Sequence, residues 1–266
     1  MTTLATGGFS THDESFAFFQ GPPEFVAALF MILASLPFVR YVQLLAGSSV
    51  PLFQDSQVRA FLISVLILVL TMTFFRIVAQ GADLREALRE ATFNITSIIT
   101  GTGYASTDYQ LWGSFPMAVF FFIGLIGGCA GSTCCSIKVF RYQILIAAVT
   151  NQIKRIHSHN GEFKLKYDGH TLSEEIVSSV MAFVTLFLVT LGVVAVMLSA
   201  TGLDFITSVS GAATAIANVG PGLGDQIGPT GHFGELNDAA KWILAFAMLM
   251  GRLELMVVFV LFTSRF

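Results

Sequence analysis

Three short glycine-centred segments, ATGGF at Ala5 to Phe9, GTGYA at Gly101 to Ala105 and NVGPG at Asn218 to Gly222, each lie beside a long apolar run. Glycine opens backbone angles closed to other residues, so successive carbonyl oxygens can turn toward one axis and replace the hydration shell of an alkali cation. The carbonyls in question are those of Ala5, Thr6, Gly101, Thr102, Asn218 and Val219, together with the glycines that follow them, and the central glycines are Gly7, Gly103 and Gly220. Any one of these segments alone reads as an ordinary glycine turn at a helix end. Three at intervals of 96 and 117 residues do not, because each interval accommodates a helix, a re-entrant pore helix, a filter strand and a second helix. One polypeptide would thus supply several sides of one pore.

Elements able to hold such segments must lie at membrane depth. The chain is 54% hydrophobic and only 12% charged, with a mean hydropathy of +0.74, which leaves too little polar surface to clothe a soluble globule of 266 residues. Its apolar stretches reach the roughly 20 residues needed to span a bilayer as helix and lack the alternation of a barrel strand, so the expected class is an all-α polytopic membrane protein. A first spanning helix is expected from Pro22 to Leu45, opened by two prolines where a missing amide hydrogen does least harm, and a second from Val58 to Gln80. Asp83 to Ile99 carries Asp83, Arg85, Glu86, Arg89 and Glu90 in its first half and apolar or small residues in its second, as suits a pore helix entering the membrane part-way. Leu111 to Thr150 is apolar but interrupted by Gly127, Gly128 and Gly131. Ser173 to Ala200 is an unbroken span, Asp204 to Ala217 a second pore helix, and Leu236 to Thr263 the last span. Each pore helix aims the partial negative charge of its C-terminus at the pore, which favours cations over anions.

Composition and spacing exclude several other chemistries. A net charge of −3 over a mostly buried sequence gives no basis for nucleic-acid binding. Cys129, Cys134 and Cys135 share one membrane-depth segment without a C-x-x-C spacing, so no disulfide or zinc framework follows. Apolar surroundings make such thiols inert packing residues, which leaves a membrane-embedded cysteine enzyme as the remote alternative. His157, His159 and His170 lack accompanying carboxylates or cysteines and read as part of a solvated basic stretch. Gly220-Pro221-Gly222-Leu223-Gly224 has neither the preceding strand nor the following acidic residue of a dinucleotide fingerprint. No enzymatic activity and no bound cofactor are expected. Met1 leads into TTLATGG without the basic leader or apolar core of a signal peptide, and the chain is expected to begin inside a repeat, as an N-terminally truncated piece.

Charge sets the expected orientation. The loop expected from Lys138 to His170 holds Lys138, Arg141, Lys154, Arg155, Lys164 and Lys166, and the positive-inside rule assigns it to the cytoplasm. Segments bearing the filters hold Asp13, Glu14, Asp108, Asp225 and Glu235, so the filters open to the opposite side. Two features then stand out at membrane depth. Gly127 to Ser136 breaks an apolar run where backbone polar groups must find protein partners or line water, though its glycines also carry a small-residue spacing found in close helix packing. Arg252 sits in the last apolar helix, where an ionised side chain costs about 2.5 to 3.5 kcal/mol, and Glu254, two positions on, faces another side of that helix. Its alternatives are a functional charge and a packing ion pair with another helix.

TLATGGFSTHD at Thr3 to Asp13, FFQG at Phe18 to Gly21, DSQVR at Asp55 to Arg59, GYASTDYQLWGSFP at Gly103 to Pro116, GGCAGST at Gly127 to Thr133, NVGPGLG at Asn218 to Gly224 and GRLEL at Gly251 to Leu255 together resemble the Trk/Ktr/HKT superfamily of potassium transporters, the bacterial Trk-type uptake subunits in particular. The resemblance covers essentially the whole chain. It implies helix, pore-helix, filter, helix repeats around one pseudo-fourfold pore: residues 1–56 as the filter and last helix of repeat two, 57–160 as repeat three with a broken gating helix, and 161–266 as repeat four. It further implies potassium as the substrate, a gating loop containing Gly127, Gly128, Gly131, Ser132 and Thr133, and Arg252 bonding the carbonyls of that loop. A bacterial inner-membrane location, a cytoplasmic nucleotide-binding regulatory subunit and a homodimer with one pore per protomer are implied as well. A sodium-permeable relative is the alternative within the superfamily. This sequence departs from the usual pattern at Gly101, where a threonine is common, and at Cys134, Cys135 and Ser136, where a glycine run is common.

Overall fold

Pro22 and Pro23 open α1 (Pro22–Ala34), and Glu24 closes its first turn by accepting the Gly21 amide hydrogen at 3.0 Å. The computed structural model describes residues 1–48, 50–158, 165–253, 256 and 258. The continuous helix expected from Pro22 to Leu45 is instead two helices bent by 91°, α1 and α2 (Phe38–Leu45). Pro37 has no amide hydrogen, and its ring crowds the carbonyl four residues back, so the helix stops before it. The freed carbonyls do not stay bare. Leu33 accepts the Tyr41 hydroxyl at 2.6 Å, Ala34 accepts the Thr133 hydroxyl at 3.2 Å, and Ser35 accepts the Cys129 amide at 3.0 Å.

A short α3 (Val50–Gln54) leads to α4 (Ser56–Gln80), which Asp55 caps by accepting the Gln57 amide at 2.9 Å and Gly81 ends at φ 65°. The first pore helix is α5 (Leu84–Ile99), capped by Asp83; the second is α9 (Phe205–Ala217), capped by Asp204. Between them run α6 (Ser114–Gly124), a non-helical stretch, α7 (Val139–His157) and α8 (Glu174–Ala200), and α10 (Asp238–Arg252) follows α9. The fold is helical except for a hairpin of two-residue strands among the described residues, β1 (Lys166–Tyr167) antiparallel to β2 (His170–Thr171). The basic stretch expected to run from Lys138 to His170 is mostly helix. Lys138 caps the start of α7 and Arg141 lies in its first turn, while Lys154, Arg155 and His157 end it. His159, Lys164, Glu254 and the expected last span beyond Arg252 to Thr263, apart from Leu253, Met256 and Val258, lie outside the described residues.

Among the described residues, two helices, α4 and α8, are long and apolar enough to cross a membrane, and the bent pair is a third if taken as one broken span. The pore helices differ from them. From Phe93 to Ile99 in α5, and from Ser210 to Ala217 in α9, every residue is buried. These halves touch protein rather than lipid, because α5 is enclosed by α1, α4 and α6, and α9 by α8, α10 and α6. The roughly 40 Å length of α8 separates two ends of the molecule. Arg155 and Glu174 line one cleft, whereas Asp108, Asp204 and Asp225 line another near the other end of α8.

Candidate functional site

The three glycine-centred segments repeat one backbone design. Thr6 and Gly8 have φ of 48° and 64°, Gly101 and Gly103 of 69° and 84°, and Asn218 and Gly220 of 54° and 113°. Carbonyls of an extended strand alternate sides, and a left-handed residue at every second position cancels that alternation, so consecutive carbonyls face one way. The amides are disposed of identically. Those of Thr6, Gly101 and Asn218 donate to the carbonyl three residues back, at 3.3, 3.0 and 3.2 Å. Those of Gly7, Thr102 and Val219 donate five residues back, to Thr2, Ser97 and Thr214, at 2.8, 2.9 and 3.1 Å. Among the described residues, no carbonyl of 6–8, 101–103 or 218–220 accepts a hydrogen bond. Donors are used up on the pore-helix side and acceptors are left over, the arrangement a cation requires.

This geometry corrects the first segment by one residue. Gly8, not Gly7, is the equivalent of Gly103 and Gly220, and the segment is Thr6-Gly7-Gly8; the carbonyl of Ala5 accepts the Thr6 hydroxyl at 2.8 Å. The segments stand side by side. A Cβ on Gly8 would overlap the Thr102 carbonyl, one on Gly103 would overlap the Val219 carbonyl, and one on Gly220 would sit 3.4 Å from the Gly103 Cα.

Polar residues that the sequence did not single out hold the segments in place. Asn94 on α5 accepts the Ser106 amide at 3.1 Å and donates to the Ser106 hydroxyl at 2.9 Å, and Ser210 on α9 accepts the Leu223 amide at 2.9 Å. Gln110 clamps the two outer loops together by accepting the Gly224 amide at 2.7 Å. A chain of charges anchors α5: Glu24, with no exposed surface, pairs with Arg89, Arg89 lies 3.6 Å from Glu90, and Glu90 pairs with Arg76 at 2.9 Å. Arg76 also lies over the Trp112 ring at 4.5 Å. The signal for this network was an arginine inside the apolar run of α4.

The stretch between α6 and α7 is tied to its surroundings rather than coiled. The Gly127 amide donates to Ile137 at 2.9 Å, Val139 to Gly128 at 3.1 Å, Phe38 to Gly131 at 3.0 Å, and Ala130 to the Gln57 side chain at 2.9 Å. Ser132 donates to the Cys129 carbonyl at 2.7 Å, and the Thr6 hydroxyl donates to the Thr133 carbonyl at 3.2 Å. Gly127 and Gly128 are therefore not a helix-packing motif. They press on their own loop, where a Cβ on Gly127 would overlap the Cys135 carbonyl and one on Gly128 would come within 2.7 Å of the Cys134 sulfur. Arg252 reaches this loop, but through a side chain. Its Nη1 donates to Cys135 Sγ at 2.8 Å, where a carbonyl partner was expected. Four of the loop carbonyls, those of Gly128, Cys129, Gly131 and Thr133, already have donors. A cavity of about 210 Å³ lies here, lined by loop residues 132–136, Lys138, Arg141, Ile216 and Arg252.

Residues 1–265 match the family model TrkH, described as cation transport protein. The chain belongs to the TrkH family. It is a transporter-family chain, not an enzyme. It is 44% identical over 268 residues to the Trk system potassium uptake protein TrkI of Halomonas elongata, covering all of this chain and 54% of that protein. To the Trk system potassium uptake protein TrkH of Vibrio parahaemolyticus it is 32% identical, covering 55% of that protein. The crystal structure of the potassium transporter TrkH from Vibrio parahaemolyticus superposes with a TM-score of 0.92 at 30% identity, over 99% of this chain and 57% of that one. The TrkH fold is thus present, and the chain spans about half the length of the relatives it matches.

Proposed function

We propose that this chain takes part in potassium uptake across a bacterial inner membrane, with Thr6-Gly7-Gly8, Gly101-Thr102-Gly103 and Asn218-Val219-Gly220 as three sides of the ion filter. The observation that carries the reading is the threefold repetition of left-handed residues whose amides are bonded back to the preceding segment and whose carbonyls lack donors. An alkali cation entering between the segments would exchange water for those oxygens, and the C-termini of α5 and α9 add partial negative charge beside it. An encircling filter takes four such segments, of which these supply three.

The loop containing Gly127, Gly128, Gly131, Ser132 and Thr133 serves as the gate below the filter, with Arg252 as its restraining charge. Support comes from the contact between Arg252 and Cys135 and from the cavity that reaches Ile216, at the end of the second pore helix. A cytoplasmic nucleotide-binding subunit regulates the gate, and two such proteins form a homodimer; the support for both is the resemblance to Trk-type uptake subunits, among which the matched relatives carry the name Trk system proteins. In this scheme residues 1–56 act as the filter and last helix of one repeat, and 57–160 and 161–266 as two whole repeats.

The test is flux into liposomes containing the purified product of the native gene, with potassium and sodium compared at equal gradients. Preferential potassium flux supports the reading. Equal or greater sodium flux favours the sodium-permeable alternative, and no cation flux in well-folded protein rejects the pore.

A further inference from the structure

We propose that Thr6 and Asn218 couple the filter to the two halves of the gate, so that gate movement changes the selectivity of the filter. The proposal rests on the filter and gate reading above. Thr6, Gly101 and Asn218 occupy the same place in their segments, the left-handed residue immediately before the carbonyl-bearing turn. Gly101 shows that glycine meets the backbone requirement. Thr6 meets it with a β-branched side chain, which disfavours that angle, so its side chain has another use.

That use is visible in where the side chains go. The single Thr6 hydroxyl proton lies within reach of two carbonyls, its neighbour Ala5 at 2.8 Å and Thr133, in the gating loop, at 3.2 Å, and the second contact is the one that spans to the gate. The Asn218 Nδ2 donates to the carbonyl of Met248, one helical turn before Arg252, at 3.0 Å. One tether therefore leads to the loop and the other to the helix whose arginine holds that loop. Gly101 has no side chain and forms no such tether.

Packing makes the second tether stiff. A Cβ on Gly251 would overlap the Ile216 carbonyl, and the Asn218 Nδ2 lies 2.8 Å from the same point, so α10 cannot slide without moving the end of α9. Thr133 is held on its other side by its amide and hydroxyl, which both donate to the Ala34 carbonyl at 3.4 and 3.2 Å. A displaced loop must pull on Thr6 or break that bond. Either event reorients the peptide planes that begin the filter segments.

The experiment measures the potassium to sodium flux ratio and the basal potassium flux in liposomes, using the product of the native gene. Asn218→Gly keeps the left-handed angle and removes one tether; Thr6→Val keeps the side-chain shape and removes the other donor. Each should lower the flux ratio by about fivefold or more, the usual scale of coupling between sites. Thr6→Ser, which restores a hydroxyl, should recover the selectivity that Thr6→Val loses. Arg252→Ala should shift the ratio in the parent protein, less in the Asn218→Gly background, and no longer in the Thr6→Val, Asn218→Gly double background, where both tethers are gone. Undiminished selectivity in folded Asn218→Gly and Thr6→Val proteins, or effects that simply multiply with Arg252→Ala, would overturn the coupling. Gly103→Ala separates the two levels: if it leaves selectivity intact, the filter reading fails, whereas lost selectivity there with intact selectivity in the tether variants defeats the coupling alone. Should Thr6→Val not fold, by size-exclusion profile, Asn218→Gly decides, since glycine suits that angle best.

Discussion

Gly103→Ala tests the filter most directly, because this glycine is constrained twice. Its φ of 84° disfavours any side chain, by about 1–2 kcal/mol. Its missing Cβ is also where the Val219 carbonyl sits, with the Pro221 ring only 3.2 Å away. Forcing an extra carbon into a packed site costs typically about 1–3 kcal/mol. The neighbouring filter segment must therefore move, and the group that moves is a proposed ion ligand. If even about 1.4 kcal/mol of this appears as a difference between potassium and sodium, selectivity falls tenfold. The assay is the potassium to sodium flux ratio in liposomes. Gly81→Ala is the control: Gly81 has a similar φ of 65° but nothing within 4 Å, so it should lose about 1–2 kcal/mol of stability and no selectivity. Gly8→Ala should behave like Gly103→Ala because it meets the Thr102 carbonyl, whereas Gly7→Ala, which meets only the Phe9 ring at 3.3 Å, should be milder. A folded Gly103→Ala protein with the parent flux ratio would refute the reasoning.

Removing the charge of Arg252 should raise basal potassium flux about tenfold or more and reduce dependence on the regulator. A unit charge 4 Å from a passing cation opposes it by about 4 kcal/mol at an effective dielectric near 20, and solvent at this exposed residue lowers that figure. Unchanged or lower flux in a folded Arg252→Ala protein would leave Arg252 as a structural residue. Single-cysteine labelling in cells should place Lys154 in the cytoplasm and Asp108 and Asp225 outside; labelling of Asp108 and Lys154 from the same side would break the orientation. Arg76→Met should destabilise the protein, by less than the about 3–5 kcal/mol of a fully stranded buried charge because Arg89 remains 3.6 Å from Glu90, and Arg76→Met combined with Glu90→Leu should cost less, as read from thermal size-exclusion profiles. Equal stability of the single and double variants would count against the pair as an anchor of α5.

Much of this protein is legible in one dimension because its signals are local. Apolar runs of spanning length and the charged-then-small pattern of Asp83 to Ile99 place α4, α5, α8 and α9 to within a residue or two, and the structure adds the aspartate caps at Asp55, Asp83 and Asp204. Gly103 and Gly220 have no adjacent glycine, so a local reading of either segment offers one central residue, and both have a positive φ. Gly7 and Gly8 offer two, because adjacent glycines are interchangeable to any local rule. Only the amide bond from Gly7 to Thr2 and the Thr102 carbonyl pressed against Gly8 fix the register. The apolar run from Pro22 to Leu45 reads as one helix despite Pro37, because a proline inside such a run can kink a span as well as end it; a bend of 91° is stable because residues 129 and 133, about a hundred positions away, bond the carbonyls it frees. Arg252 announced itself as a charge in an apolar helix, yet its partner is the Cys135 sulfur, which only the folded loop brings within 2.8 Å. Burial of Glu24, Arg89, Glu90 and Arg76 escaped the sequence for the same reason: a charge is admitted to an apolar interior only by an opposite charge from another element, and only the tertiary structure brings the two together.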